Sequence, residues 1–269
     1  MAVGPRARRL IPALLLLLLP AAPRESRAQA DQPVGIEFGV RGWRSDLSFG
    51  GHVDDESRNG TGFDDGTFGM DGGQLVPVPF VRLGGLGNYF IADYFQRKYD
   101  GSARLPSDFA MSGTLFTAGT TVKSDLDLKI ISAYYNYAFT DPNGSFQAGV
   151  LAGVKYNTIE LDVDSASGSA SMRMVVPAPV AGTLMRLTLM DGLEILGQLD
   201  GLQLPESVFG TKVMVFEAMV EVTLKMGYFS TGIGYIYSKS EFTANGGEDD
   251  EMSFDMKIDG PYAVVSLAF

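Results

Sequence analysis

The chain has 269 residues, of which 45% are hydrophobic and 20% are charged, and its formal net charge is −11. It contains no Cys and one His, which excludes disulfide frameworks, thiolate zinc sites, cysteine nucleophiles and sites that need two imidazoles. The acidic balance argues against binding to the phosphate backbone of nucleic acids, so no nucleic-acid partner is expected.

The first thirty residues have the pattern of a secretory signal peptide. Three arginines between positions 6 and 9 are followed by an apolar stretch, residues 10–20, and by a small-residue cleavage site that ends at Ala30. The apolar stretch is much shorter than the roughly 20 residues of a transmembrane helix. We therefore predict a signal peptide over residues 1–30 and an exported domain over residues 31–269.

The exported domain alternates apolar and polar residues with a period of two, which predicts β-strands, and Gly, Asn and Asp mark the breaks between them. Ten strands are predicted, over residues 34–48, 75–84, 88–99, 114–139, 145–163, 171–189, 193–204, 213–225, 228–243 and 252–269. Eight and twelve strands are the alternatives, because the fourth segment is long for one membrane crossing of about 9–11 residues. We expect residues 105–123 to project from the membrane as an extended hairpin.

The connections between these strands alternate in length. Those after the even-numbered strands are tight, as at Met190-Asp191-Gly192, whereas those after the odd-numbered strands are mostly longer and rich in Gly, Ser and acidic residues. Short turns on one side and longer loops on the other are typical of a transmembrane β-barrel. The sequence therefore predicts an all-β fold, a transmembrane antiparallel up-and-down barrel of about ten strands.

The strands also have one apolar and one polar face, and a barrel in lipid directs the apolar face outward and leaves no edge unpaired. Aromatic residues lie beside the short turns, which is typical of a membrane interface: Tyr89, Phe90, Phe139, Phe146, Tyr228, Phe229 and Phe269. Prolines interrupt two strands, at 76–79 and at 175–179, where we expect bulges or weakly paired positions.

The strand positions that alternate with the apolar, outward-facing ones are expected to point into the barrel, and they include six basic and six acidic side chains. These are Arg41, Arg82, Arg97, Lys155, Arg186 and Lys225, with Glu37, Asp93, Glu194, Asp200, Glu217 and Glu221. An unpaired buried charge is costly, so balanced charges inside a small barrel predict a plugged, salt-bridged lumen. The alternative is a narrow polar conduit, a pore or carrier for small solutes, in which charged rings set the selectivity.

His52, the one imidazole, follows two glycines in the predicted first external loop. Outer-membrane proteases and lipid A deacylases are also small barrels with a His near the outer rim, so a surface hydrolase that uses His52 is a third alternative. A general base needs a held geometry and an oriented partner, and a Gly-rich loop supplies little support. We therefore predict no enzymatic activity, no metal site and no cofactor.

The chain ends in alternating apolar residues, Ala263, Val265 and Leu267, followed by a terminal Phe269. This pattern resembles the signal by which the outer-membrane assembly machinery recognises its substrates. The stretches 133–139 and 147–156 resemble paired central strands of small Gram-negative outer-membrane barrels, loosely those of the OmpA-transmembrane and OmpW groups. The resemblance implies the barrel architecture only, and no peptidoglycan-binding domain is expected after the barrel.

These observations favour a structural or interaction role in the bacterial outer membrane, with acidic loops outside the cell. The expected partners are outer-membrane lipid and lipopolysaccharide, together with the assembly machinery during biogenesis. The oligomeric state is left open.

Overall fold

The computed structural model describes residues 35–55, 58–70, 72–85, 87–204, 211–245 and 251–269. The predicted signal peptide lies outside the described residues. The elements are, in chain order, β1 (Gly35–Asp55), β2 (Arg58–Asp64), α1 (Asp65–Phe68), β3 (Gln74–Gly85), β4 (Asn88–Arg104), β5 (Phe109–Met111), β6 (Thr114–Phe116), β7 (Thr121–Thr140), β8 (Phe146–Ser165), β9 (Gly168–Met190), β10 (Leu193–Leu204), β11 (Thr211–Met226), β12 (Phe229–Asn245) and β13 (Glu251–Ala268). Among these residues, no helix has the length and apolar composition needed to cross a membrane.

Ten of these strands form one closed antiparallel barrel. In the order β1, β3, β4, β7, β8, β9, β10, β11, β12 and β13 each strand pairs with the next, and β13 pairs with β1. The seam ends in two reciprocal backbone hydrogen bonds, from Ile36 N to Phe269 O at 3.0 Å and from Phe269 N to Ile36 O at 2.8 Å. The predicted fold class and the count of ten barrel strands are confirmed.

The tight turns depend on glycines in the left-handed region of φ. Gly87, Gly144, Gly192 and Gly227 have φ between 64° and 83°, and one of them lies in each of the four predicted short turns. A side chain with a Cβ adopts this conformation at a cost, so these glycines fix where each hairpin reverses.

The segment around residue 114 differs from the prediction. β7 begins at Thr121, whereas residues 114–116 belong to β6, which pairs only with β5 in a small separate hairpin. The hairpin does not project outward: its Phe109 and Phe116 side chains are fully buried. The hydroxyl groups of Ser112 and Thr114 donate hydrogen bonds to backbone carbonyls of β9, so the hairpin folds back into the mouth of the barrel.

The first predicted external loop is also largely structured. β1 continues to Asp55, and its last residues pair with β2 as well as with β13. α1 follows directly, and its Phe68 side chain is fully buried. Segments predicted as loops therefore add length to the wall and fill the mouth.

The two strands that contain prolines, β3 and β9, pair continuously with one neighbouring strand and only partly with the other. The register of β1 with β3 and of β8 with β9 is continuous past the prolines. However, β3 pairs with β4 only from Phe80 onward, and β9 pairs with β10 only from Ala181 onward. No register shift falls at the prolines in these ladders. The expected weak pairing is present on the side that faces β4 and β10, and there proline has no N–H that could be left without an acceptor.

Along each long strand, the apolar side chains change from the outward face of the barrel wall to its inward face. On β8 the outward side chains from 146 to 156 are apolar, and the inward Lys155 is polar. Farther along the same strand, Ile159 and Leu161 point inward and are fully buried, while Glu160 points outward. The register with β7 has no shift, so only the environment changes. We call the part of the barrel near the short turns the membrane half and the opposite part the outer half. On β8 these are residues 146–157 and residues 158–165.

Candidate functional site

The outward surface of the membrane half is a continuous apolar band. Its exposed side chains include Phe38, Val150, Val220, Ile233, which is 68% exposed, and Val265. Exposure of large apolar side chains on this scale is a liability in water and a requirement in lipid.

Aromatic girdles lie at both edges of the band. On the short-turn side the predicted residues Phe139, Phe146 and Tyr228 point outward, and the rings of Tyr228 and Phe269 stack at 6.1 Å. The opposite edge carries a second girdle, not predicted from sequence, that includes Tyr94, Tyr156 and Tyr235. From Phe146 to Tyr156 the band spans about ten residues, the length of one bilayer crossing by a tilted strand.

All twelve charged residues predicted for the lumen lie on the inward face. The centre is Lys155, whose Nζ lies 2.7 Å from Glu217 Oε2 and 3.3 Å from Asp200 Oδ2. The side chain of Lys155 is 3% exposed and that of Asp200 is 0% exposed. Because little water reaches this site, each charge is stabilised mainly by its oppositely charged partner.

A second set of contacts surrounds Arg41. Its guanidinium lies 3.7 Å from Asp93 and 3.9 Å from Glu221, and it packs 4.6 Å above the ring centre of Phe80. The hydroxyl of Tyr262 donates a 2.8 Å hydrogen bond to Glu221. Strands that are not adjacent in the barrel, β1 with β4 and β1 with β11, are thus tied together across the interior, where a change of register would separate opposite charges.

The remaining pairs lie near the short-turn end. Arg82 contacts Glu37 at 2.5 Å, and Ser266 donates a 2.8 Å hydrogen bond to the same carboxylate. Glu194 lies 3.6 Å from Arg186 and 2.7 Å from Lys225, whose side chain is partly exposed at the rim. Eleven of the twelve predicted residues therefore lie in ion pairs with one another.

Arg97 has a different environment. It points into the outer half, where its guanidinium donates hydrogen bonds to the backbone carbonyls of Ser45 and Gly72 and to the Ser45 hydroxyl. It also stacks on Tyr99, with 3.9 Å from the guanidinium carbon to the ring centre. Arg97 therefore holds the chain that leads into β3 against the inner wall.

The interior of the outer half is an apolar core, which was not predicted from the sequence. Rings from the wall, from α1 and from the β5–β6 hairpin contact one another, with centroid distances of 5.5 Å for Phe68–Phe109 and 6.1 Å for Phe109–Phe116. Leu126, Leu161 and Ile258 of the wall belong to the same buried cluster. The sequence does carry a signal of this core. Along β7, β8, β12 and β13 the apolar residues change from the outward-facing to the inward-facing set of alternate positions.

A small cavity lies where the polar and apolar interiors meet. Its volume is about 40 Å³, and its lining includes Arg41, Asp93 and Glu217 on one side and Trp43 and Ile258 on the other. This is room for only about one to three water molecules.

His52 lies in a strand rather than in a flexible loop. It belongs to β1, opposite Ser253 of β13 and Gly62 of β2. The predicted position in a Gly-rich loop is wrong because β1 extends to Asp55, beyond the predicted strand 34–48.

The terminal residues form part of the lipid-facing band. Val265, Leu267 and Phe269 point outward and are exposed, and Ala263 lies on the same face of β13. The residues predicted as an assembly signal are thus on the surface at the seam of the folded barrel.

A closed barrel with an outward apolar band, two aromatic girdles and inward charges is an integral outer-membrane β-barrel. The sequence resemblance to small outer-membrane barrels is confirmed at this level. No protein-family model and no curated protein matches the sequence.

Solved structures are similar to the chain in fold alone. The translocator domain of the autotransporter NalP from Neisseria meningitidis has 10% identity and a TM-score of 0.46, over 90% of this chain and 91% of that chain. Ail, the attachment invasion locus protein of Yersinia pestis, has 9% identity and a TM-score of 0.29, over 85% and 98%. The toluene transporter TodX from Pseudomonas putida has 9% identity and a TM-score of 0.28, over 87% and 89%.

Proposed function

We propose that this protein is a closed outer-membrane barrel with a structural or interaction role, whose plugged lumen conducts no solute and whose outer half presents charged surfaces outside the cell. The observation that carries the proposal is the plug: Phe68, Phe109 and Phe116, with at most 1% exposure, lie inside the outer half. Below them the ion pairs centred on Lys155 close the membrane half. A solute would have to disrupt two differently built layers to pass.

Conductance in planar bilayers tests the proposal. The purified, folded protein is expected to give no steady single-channel steps. Steps of constant size would overturn the closed lumen and favour the narrow pore or carrier. The Glu217→Gln variant sharpens the result: in a closed barrel it lowers stability without creating conductance, whereas in a pore it shifts ion selectivity.

We propose that export uses a cleaved signal peptide, residues 1–30, and that the assembly machinery reads the terminal pattern at Phe269. Deletion of Phe269 is expected to reduce the amount of protein in the outer membrane that migrates faster on gels when unboiled. The matched control is Tyr228→Ala, which removes the stacked ring but leaves the terminus intact. Equal reduction in both variants would assign the effect to loss of the ring contact.

We also propose that the protein is not an enzyme. His52→Ala is expected to leave lipid and peptide hydrolysis at background level, as in the unmodified protein. A hydrolytic activity that the unmodified barrel has and this variant lacks would overturn this.

A further inference from the structure

The strands β3 and β4 separate above the rung formed by Phe80 and Asp93. Below this rung they pair down to Gly85 and Asn88. Above it, β3 remains paired with β1, and β4 remains paired with β7, but the two are not paired with each other. On the outer surface this separation forms an open groove of about 560 Å³, lined by Val40, Pro77, Pro79, Tyr94, Gln96 and Lys98.

The groove lies at the outer edge of the lipid-facing band. Val40 and Tyr94 belong to the exposed apolar surface, and Tyr94 lies in one cross-strand row with Ile131 and Tyr156. An open strand edge in hydrocarbon would leave backbone donors unsatisfied. Two of the residues on this edge of β3, Pro77 and Pro79, have no N–H, so the edge is adapted to an apolar neighbour.

The inner side of the groove is closed. Val78 and Phe95 alternate with the groove residues, point inward and are each 4% exposed. The ring of Phe95 packs against Trp43 with 5.1 Å between centroids. A molecule in the groove would therefore lie against the outside of the barrel.

A charged collar lies directly above the groove, formed by Lys98, Asp127, Lys129, Glu160 and Arg173. Lys98 and Lys129 lie 3.7 Å and 2.9 Å from Asp127, and Arg173 lies 3.1 Å from Glu160. The collar has three cations and two anions, but the next row of the same strands, Asp100, Asp125 and Asp162, is acidic, so the cation that matters for the groove is Lys98 itself. The side chain of Lys98 is 71% exposed and stands at the groove.

We propose that the groove binds one phosphorylated lipid of the outer leaflet, with an acyl chain along Val40, Pro77, Pro79 and Tyr94 and its phosphate at Lys98. The occupant is a lipid because the groove continues the lipid-facing surface. It is anionic because the exposed cation at the groove, Lys98, is only loosely paired: it lies 3.7 Å from Asp127, which Lys129 approaches to 2.9 Å. The amide of Gln96, which already donates to Asp127 at 3.1 Å, lies between these two regions. The inference rests on the membrane placement in the proposed function, but not on the closed lumen.

Native mass spectrometry of the folded barrel in detergent tests the proposal. The probes are phosphatidylglycerol and phosphatidylcholine with the same acyl chains, and inorganic phosphate as a competitor. We expect one phosphatidylglycerol to be retained in preference to phosphatidylcholine, and inorganic phosphate not to displace it. Displacement by inorganic phosphate would indicate an ion site without an acyl-chain site and overturn the proposal.

Two variants, each with a matched control, test separately the role of the charge at Lys98 and the role of the shape of the groove. Lys98→Gln is expected to weaken phosphatidylglycerol retention about tenfold, as loss of a charge-assisted contact would. Its control, Lys257→Gln, removes a lysine that also pairs with a carboxylate, Asp259 at 3.0 Å, and is expected to have no effect. Val40→Trp fills the groove and is expected to reduce retention, whereas Val220→Trp, elsewhere on the lipid-facing band, is not.

Equal retention by Lys98→Gln and Lys257→Gln, or by the two tryptophan variants, would overturn the groove as a lipid site. Each variant is first checked for faster migration when unboiled, so that misfolding is excluded. Bilayer conductance of the unmodified barrel is read separately, and failure of the closed lumen is therefore distinguishable from failure of the lipid site.

Discussion

Lys155 is the residue on which the interior of the membrane half depends most. Its ammonium lies between Glu217 and Asp200 and has almost no exposure to solvent. Lys155→Met leaves two carboxylates without a cation, and removal of one partner from a buried ion pair costs about 3–5 kcal/mol. We expect a loss of this size in the free energy of unfolding, measured by urea titration of the barrel refolded in lipid vesicles.

The control for this prediction removes the carboxylates as well. Lys155→Met combined with Asp200→Leu and Glu217→Met leaves no unpaired charge at the site, so it is expected to recover most of the lost stability. If the triple variant is as unstable as the single variant, packing at Lys155 rather than charge pairing determines the effect.

Asp64 controls the position of the plug residue Phe68. Its carboxylate accepts hydrogen bonds from the backbone N of Thr67 at 2.7 Å and from the Thr67 hydroxyl at 2.6 Å, which caps α1. These hydrogen bonds hold the pKa of Asp64 below its usual value. Asp64→Ala is expected to cost about 0.5–2 kcal/mol in unfolding free energy at neutral pH.

The pH dependence of this cap follows from the lowered pKa. The stabilisation is present above the usual pKa of an Asp and is lost as pH falls through the lower, folded-state value. Asp64→Asn keeps a capping side chain that does not titrate. The stability difference between the unmodified protein and the Asn variant is therefore expected to shrink on acidification, and a constant difference would contradict the assignment.

At the scale of elements, the strands were predictable and their environments only in part. The alternation of β12 and β13 gives their inward and outward residues correctly, since a period of two is a property of the strand itself. Which face is apolar depends on the solvent outside, and that changes from lipid to water within one strand. The change of parity between Tyr156 and Ile159 on β8 carries this information, but only once the strand is known to continue past the membrane.

A row of three acidic residues crosses β4, β7 and β8 in the outer half. Asp100 is directly opposite Asp125, which is directly opposite Asp162. Like charges in directly opposed positions destabilise a sheet. Asp125→Asn is expected to raise the unfolding temperature at low ionic strength, and added salt should reduce the gain because these side chains are exposed. Asp127→Asn, which removes a paired carboxylate, is the opposite control and is expected to lower it.

At the scale of the whole molecule, loop length was the weakest guide. The Gly-rich, acidic composition of residues 49–74 predicts an external loop, and the length of segment 114–139 predicts a projecting hairpin at residues 105–123. Their few large apolar side chains, Phe63, Phe68, Phe109 and Phe116, instead fill the mouth of the barrel. The inward ionic residues, by contrast, were predictable, because each lies in a strand whose lipid-facing side is clearly apolar.

The whole arrangement predicts a pattern of chemical accessibility that can be read on β8. The chain contains no Cys, so single cysteines can be introduced without background. On intact cells, a membrane-impermeant maleimide is expected to label Glu160→Cys in the collar, but not Val154→Cys in the lipid-facing band or Leu161→Cys in the apolar core. Asn143→Cys, in a short turn, is expected to react only after the outer membrane is permeabilised.

Each outcome of this scan tests one part of the structure. Labelling of Asn143→Cys on intact cells would mean that the barrel has the opposite orientation in the membrane. Labelling of Leu161→Cys as fast as Glu160→Cys, in a variant that still migrates faster when unboiled, would mean that water reaches the interior of the outer half. Adjacent positions 160 and 161 differ only in the face they occupy, so their difference in rate measures directly whether the barrel is closed above the membrane.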